Sequence, residues 1–437
     1  MRDSDQVKPD PHTRAVAEKD RPSHRKIYHR LAGAIAIWAS MIGASNAADL
    51  EVVHWWTSQS EAAAVKVIAD AFNATGHTWV DGAIAGGGGT NARPAVISRL
   101  LGGDPMGATQ FNHGQQAREL VEAGLMQDLT DLAEAGNWRA VVYPPELLDA
   151  CTYQGRIYCV PVNIHSWQWL WLSIGAFQTV GVDTPKDWED FVAAAPALRH
   201  AGIVPLAMGT QDWQASNAIT QVLAVAVAGV DAWRAVNVER DADVARGAAY
   251  AAVFEAAATA REMAQGSQVS DWNQATGLII TGQAGGQIMG DWAQGEFAAA
   301  GQVAGRDYDC LPGLGLTEVI STGGDAFYFP KHSDPEVTAA QFELATVMIS
   351  PAVQVAFNTA KGSLPVRRDI DLSTANACMR KGVEILAAGQ ILPSTEIVLP
   401  PDTIAQIDDL MAHFWTTPGM SAAEVQARYA DLVAAAH

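Results

Sequence analysis

The sequence predicts an α/β protein built as two lobes, and three observations carry that expectation. Short runs rich in β-branched residues alternate along the chain with amphipathic helical patterns. The ends of several such runs are crowded with polar side chains and tryptophan, and strand ends are where ligands bind in α/β sheets. The chain has 437 residues, 49% of them hydrophobic and 17% charged, which is enough for two ordinary domains with cores of their own and far from a disordered composition.

The first element is the stretch Leu50 to Glu61, LEVVHWWTSQSE. Leu50, Val52 and Val53 read as a short buried strand, and Thr57 and Ser58 lead into a helix that starts near Glu61. Trp55 and Trp56 stand at the junction. Their flat, polarised faces suit the C–H face of a sugar ring, and Glu61, one turn on, is an acceptor for hydroxyls; the competing account is plain core packing. The helix runs to Thr75 with Ala64, Val65, Ile68 and Phe72 on one face and Gly76 as its stop, and Thr78 to Ile84 is the next strand. Gly86 to Gly89 lacks the G-K-[S/T] continuation of a phosphate loop, so it reads as a loop whose backbone passes close to something. Asn91 to Leu100 is helical. Ala108 to His113 then closes a strand with Gln110, Asn112 and His113, the mixed donors and acceptors that hydroxyls require, although a lone histidine is more often a surface residue.

A helix over Gln115 to Leu125 is followed by a segment punctuated by Pro144 and Pro145. Trp167, Trp169 and Trp171 then alternate along one face of a strand. All three either pack a sheet, or Asn163, His165 or Trp167 edges a cleft, and Pro161 sits where a connection between lobes can bend. From Thr184 the sequence turns helix-rich: a helix over Trp188 to Arg199, a strand over Val204 to Met208, then GTQDW ending at Trp213. Two further polar ends follow. GGQIMGDW carries Asp291 and Trp292, and STGGDAFYFP, Ser321 to Pro330, holds Asp325 inside an apolar run. Helices over Pro335 to Ala360 lead to KGSLPVR, opened by Lys361, and Thr395 to His437 reads as helices.

Residues 1–47 read as a targeting segment. Arg21, Arg25, Lys26 and Arg30 precede the apolar run Leu31 to Gly43, which closes on Ala44, Ser45, Asn46, Ala47 and Ala48. That run is short for a bilayer span of ~20 residues, so a secretory signal cut after Ala47 or Ala48 is expected rather than an anchor. The segment holds eight Lys/Arg and five Asp/Glu against a whole-chain net charge of −20, leaving about −23 on the mature chain. So acidic a surface argues against nucleic acid and anionic membranes and favours a neutral or cationic small ligand. Export also makes the four cysteines readable. Cys151 and Cys159 flank TYQGRIY, whose Gln154-Gly155 looks like a hairpin turn, so they meet across a two-stranded ribbon; Cys310 and Cys378 then pair by default, one of three possible connectivities. No Cys/His spacing suits zinc, and neither metal nor cofactor is expected.

In their order along nearly the whole mature chain, these motifs resemble those of the periplasmic sugar-binding proteins of ABC importers, within the extracellular solute-binding proteins. LEVVHWWTSQSE looks like that family's first ligand loop, with the W-W-T-x-x-x-E spacing of its glucose and mannose binders. GRIYCVPV resembles its G-K-x-Y-x-x-P segment, DWEDF its T-W-x-E-F helix start, MGDWAQGEF its sugar-stacking turn and KGSLPVR its late G-x-x-P-V crossover. The resemblance implies the two-lobed periplasmic binding protein fold with a ligand cleft between the lobes. One lobe would span 48–160 plus 322–360 and the other 161–321 plus 361–437, closing by hinge motion about crossovers near residues 160 and 361. It implies ring stacking by Trp55 or Trp56, Trp213 and Trp292, and hydrogen bonding by Glu61, Asn112, His113, Asp325 and Lys361. It also implies a monomer that delivers a small neutral sugar of glucose or mannose type to an ABC permease, with a chemoreceptor as a further candidate partner. Glucose binders often carry a lysine near the Asn112 position and a histidine after the Pro-Ser, where this chain has Thr395-Glu396, so a disaccharide or polyol is the alternative ligand. A secreted glycoside hydrolase is the reading from a different class, with Glu61 and Asp325 or Asp291 as its carboxylate pair. The sequence offers it no supporting motif, nor a serine elbow, an H-E-x-x-H or a phosphate loop for any other enzyme.

Overall fold

The computed structural model describes residues 47–436, so the expected targeting segment lies almost wholly outside the described residues. Two sheets carry the architecture. The chain opens the first with β1 (Asp49–His54), β2 (Thr78–Ala83), β3 (Ala108–Asn112) and β4 (Cys159–Pro161). It then builds the second from β5 (Trp169–Ser173), β6 (Val204–Leu206), β7 (Ala284–Ile288) and β8 (Tyr308–Pro312), and returns to the first with β9 (Asp325–Tyr328). The strand orders are β2-β1-β3-β9-β4 and β8-β5-β7-β6.

Pairing direction puts the site residues at one edge of each sheet. β1 runs parallel to β2 and β3, whereas β9 runs antiparallel to β3, with Asp325 opposite Asn112 and Phe327 opposite Gln110. The carboxyl ends of β1 and β3 therefore meet the amino end of β9. In the second sheet β7 is parallel to β6 and antiparallel to β5, so the residues after β6 and β7 join those before β5.

The helices that shape the site are α1 (Gln59–Asn73), α2 (Ala92–Leu101), α3 (Trp272–Ile280), α4 (Ala293–Ala299), α5 (Pro335–Ile349), α6 (Pro351–Lys361), α7 (Ala377–Ala387) and α8 (Pro401–Thr416). α1 begins two residues ahead of Glu61 because Ser58 caps it, and Glu61 completes the capping box. Its apolar face, Ala64, Val65, Ile68 and Phe72, is buried, and the helix packs on α6. Among the described residues no single helix is long and apolar enough to cross a membrane. α5 and α6 reach that length only together and are bent by 68° at their junction.

Two local expectations need correction. Trp167 is not on the strand with Trp169 and Trp171: its backbone N–H donates to Ser321 Oγ at 2.9 Å, which turns the chain before β5 begins. Trp169 and Trp171 are buried and stacked, with ring centroids 5.6 Å apart, and are core residues. The helix expected over Gln115 to Leu125 is shorter, a 3₁₀ turn at Gln115–Ala117 followed by Arg118–Glu122, and Gly124 beyond it turns the chain at φ +72°.

Both disulfides form as expected. Gln154 and Gly155, at φ 49° and 79°, make the two-residue turn of the ribbon Thr152–Tyr153 with Arg156–Ile157, and Cys151 and Cys159 join across it with their Cα atoms 5.1 Å apart. Cys310 on β8 joins Cys378 on α7, Cα atoms 6.1 Å apart. The two bonds close loops of very different length, with sequence separations of 8 and 68. Chain entropy alone makes the longer worth roughly 4 kcal/mol and the shorter roughly 2.5. Replacing Cys310 and Cys378 by serine should thus lower the denaturant midpoint more than replacing Cys151 and Cys159; the opposite order would show that strain or residual structure, not loop length, governs these bonds.

Candidate functional site

At the edge where β1 ends, Ser58 Oγ accepts from Glu61 N–H at 3.3 Å, and Glu61 Oε2 in return accepts from the N–H groups of Thr57 and Ser58 at 3.1 Å. The same carboxylate reaches across the fold. Its Oε1 accepts from Lys361 Nζ at 3.0 Å, and both side chains are nearly withdrawn from solvent. Two groups expected to serve hydroxyls separately are thus bonded to each other. Such a pair is costly to break from one side, because the remaining charge would stay buried. Lys361 Nζ also lies 5.9 Å from the ring centroids of both Trp56 and Trp292. Trp56 in turn packs on Phe327 and Phe357, at 5.6 and 5.2 Å, so it is anchored in the core while its other side lines the cavity.

Beside this pair stands His165, in the segment that leads from the first sheet to the second. Its Nδ1 faces Asp291 Oδ1 at 2.8 Å and its Nε2 faces Asp325 Oδ2 at 2.9 Å, the arrangement of an imidazolium donating from both nitrogens. Burial opposes that charge, but Asp325 and Asp291 outweigh burial and the nearby Lys361 and hold the imidazole above its ordinary value. The two carboxylates share the cation unequally. Burial keeps Asp291 above the usual carboxylate range despite His165 and the Ser166 N–H. In Asp325 burial also works upward, yet His165, Lys361 and Asn163 together hold it down to about 2.

Asp325 is tied further. Gln110 Nε2 donates to its Oδ1 at 2.7 Å and Asn163 Nδ2 to its Oδ2 at 2.9 Å, while Gln110 Oε1 accepts from the Trp55 N–H at 3.0 Å. A continuous network therefore runs from the end of β1 through β3 and β9 to the turn after β7.

These groups form one wall of a cavity of about 420 Å³ between the ends of the two sheets. Six of the fourteen tryptophans line it: Trp55, Trp56, Trp167, Trp213, Trp272 and Trp292. Trp167 stands edge-on to Trp292 at 4.6 Å and to Trp213 at 5.6 Å, so the rings brace one another at fixed angles. The glycine run seen in the sequence passes against the other side. A Cβ on Gly87 would stand 2.5 Å from Gln211 Oε1, and one on Gly88, at φ +63°, would stand 3.4 Å from Trp213 Cδ1.

Of the residues singled out in the sequence, Trp55, Trp56, Glu61, Asn112, Trp167, Trp213, Trp292, Asp325 and Lys361 line the cavity. Gln110, Asn163 and Asp291 stand behind it and hold Asp325 and His165 in place. His113 is buried with neither ring nitrogen bonded, and burial pushes it down to about 4; it is a neutral residue of the interior, not of the wall. The sequence reading missed Arg93, Trp272 and Asp408 because all three are on helices, whereas it looked for ligands at strand ends; Glu396 stood out only as a departure from the glucose binders. Among the described residues no group of three or more His, Cys, Asp or Glu side chains could hold a metal ion.

Comparison with known proteins agrees with this architecture. Residues 55–355 match the bacterial extracellular solute-binding proteins. A probable sugar-binding periplasmic protein of Brucella melitensis is 34% identical over 354 residues, 80% of this chain and 83% of that protein. Among solved structures, a chitin oligosaccharide binding protein has a TM-score of 0.72 at 18% identity, covering 89% of this chain and 98% of the other. A bacterial solute receptor described as having an exclusive preference for β-D-galactopyranose has the same TM-score, 0.72, at 18% identity and the same coverage, 89% and 98%. At these identities the two structures establish the fold, and the relatives are binding proteins, not enzymes. A match over most of the chain, a relative above 30% identity and the two-sheet fold with its intervening cavity lead to one conclusion: this protein belongs to the bacterial extracellular solute-binding proteins.

Proposed function

We propose that this chain is a periplasmic carrier that encloses a monosaccharide of glucose or mannose type and hands it to the permease of an ABC transporter. The observation that carries the reading is the cavity itself, six tryptophan faces set among amides, carboxylates, the Lys361 ammonium and the Arg93 guanidinium between two sheets. Ring faces supply affinity for C–H surfaces. Pre-bonded polar groups choose among hydroxyl patterns, since an unpaired buried polar group costs ~1–3 kcal/mol. The names of the sugar-binding relatives support the substrate class, and a volume of about 420 Å³ falls within the range of small-molecule sites.

The lobes of this reading are 48–160 plus 322–360 and 161–321 plus 361–437, closing about the crossovers near residues 160 and 361. Residues 1–47 serve as the export signal, and the mature protein acts as a monomer. A chemoreceptor is a second candidate partner. A disaccharide or polyol is the alternative ligand, and Thr395-Glu396 departs from the histidine of the glucose binders.

A thermal-shift screen of monosaccharides, disaccharides and polyols tests the proposal, because a ligand at 100 times its dissociation constant adds ~2.7 kcal/mol of stability. With the best ligand, calorimetry should show Trp292→Ala losing ~2–4 kcal/mol of binding. Asp325→Asn should lose ~1.5–3 kcal/mol and also stability, since an amide nitrogen would face the donors of Gln110 and Asn163. Unchanged affinity in both variants would place the ligand elsewhere.

The His165 bridge gives a second expectation. Because the imidazole is held above 6.5, its contribution to stability is complete below that pH and is lost as pH rises through the folded value. Asp325, held down to about 2, contributes above the ordinary carboxylate range and loses that contribution as pH falls toward 2. Melting temperature measured from pH 5 to 9 should decline on the alkaline side, and His165→Gln should remove that decline. A wild-type curve as flat as the variant's would mean that the imidazole is neutral.

A further inference from the structure

The two sheets meet differently on the two sides of the cavity. On one side, three successive residues of α4, the helix that follows β7 of the second sheet, engage α1 and α6 of the first. Gln294 Nε2 donates to the Gly362 carbonyl at 3.0 Å. Gly295 brings backbone against backbone: a Cβ there would stand 2.8 Å from the carbonyl oxygens of Ala360 and Lys361, and one on Gly362, at φ +84°, would stand 2.5 Å from the Gly295 nitrogen. Glu296 Oε1 accepts from the Ser60 N–H at 3.1 Å and from the Ser60 hydroxyl at 2.6 Å. That N–H lies in the first turn of α1 and has no partner within its own helix, so the carboxylate completes from the other sheet the capping that Ser58 and Glu61 begin. Ser60, Gln294, Gly295, Glu296 and Gly362 all stand outside the cavity wall.

On the other side there is contact without bonding. Gly87 and Gly88 lie against Gln211 and Trp213, yet the hydrogen bonds of that loop stay on its own side, from Asn91 Nδ2 to the Ala85 carbonyl at 2.9 Å and from Arg93 Nη1 to the Gly88 carbonyl. Gln211 is likewise occupied on its own side: Nε2 donates to Asp271 Oδ1 at 2.6 Å and Oε1 accepts from Gln214 Nε2 at 3.1 Å.

We propose that Glu296 is a positioning residue for the ligand. By anchoring the first turn of α4 to Ser60 it fixes Trp292, four residues earlier, and it makes this the side about which the sheets turn, so that ligand enters between Gly86–Gly89 and Gln211–Trp213. The inference rests on the sugar-binding reading and adds to it the residue that sets the geometry and the side that opens. Glu296, Ser60, Glu61, Lys361 and Trp292 form a closed circuit, since Ser60 adjoins Glu61, Glu61 accepts from Lys361 at 3.0 Å and Lys361 lies 5.9 Å from the Trp292 ring centroid. Opening the circuit at Glu296 frees the turn that carries Trp292, and the ring face is no longer held at a set distance from the charged pair.

Titration calorimetry of the purified protein with glucose, mannose, galactose and cellobiose tests the positioning role. For whichever sugar binds most tightly, Glu296→Ala should weaken binding about tenfold, whereas Glu296→Gln, whose amide oxygen still accepts both Ser60 hydrogens, should stay within about twofold. In a Trp292→Ala background Glu296→Ala should cost less than about twofold, because the ring it positions is gone. Nitroxide labels report the opening side, since the native cysteines are all in disulfides and only engineered thiols react. The distance between labels at Thr90→Cys and Asp212→Cys should shorten by more than about 2 Å when that sugar is added, and the distance between labels at Lys66→Cys and Ala298→Cys should stay constant. Losses from Glu296→Ala and Trp292→Ala that simply add, or an alanine at Glu296 without effect, would overturn the inference and leave the sugar reading standing, as would labels beside α4 that move as far as those at the loop. Binding of none of the four sugars would overturn the sugar reading and this inference together.

Discussion

His165 stands between two carboxylates that belong to different sheets, and removing any one of the three would leave a buried charge without its partner. Asp291 is delivered by the turn after β7 and Asp325 by the first residue of β9, so the bridge exists only when the two sheet edges face each other. The Glu61–Lys361 pair obeys the same constraint from another direction, joining the capping box of α1 to the last residue of α6. Placement of the tryptophans follows from these links. Trp292 is held edge-on to His165 at 4.8 Å and to Trp167 at 4.6 Å, and Lys361 lies above both Trp56 and Trp292.

This arrangement separates holding from recognising. Gln110, Asn163 and Asp291 contribute nothing to the cavity surface, yet they fix where Asp325 and His165 point. Groups whose geometry is already fixed reorganise little when a ligand arrives, so more of the contact energy remains as affinity. Asp271, which also lines the cavity, is held in the same way, accepting from Gln211 Nε2 at 2.6 Å.

Much of the fold was legible because its signals are local. Polar residues and tryptophan interrupt apolar runs where β1, β3 and β7 end, and the Gln154-Gly155 turn sits at the spacing a ribbon requires. Trp167 was legible only in part: alternation grouped it with Trp169 and Trp171, and the hydrogen bond to Ser321 that takes it off the strand comes from a residue far along the chain. Pairings such as Glu61 with Lys361, 300 residues apart, have no local signature at all. Helix-borne residues such as Trp272 and Asp408 were missed for a related reason, since a helix presents one or two side chains to a site and its remaining pattern reads as ordinary packing.

Neither disulfide ties one sheet to the other. Cys151–Cys159 closes a ribbon against β4, and Cys310–Cys378 fastens α7 to β8, so each covalent link lies within the layers of a single sheet. Each bond thus limits the unfolding of its own half, while the meeting of the halves is left to reversible bonds. Loss of either disulfide would therefore loosen one half and leave in place the ion pairs through which the two sheet edges meet.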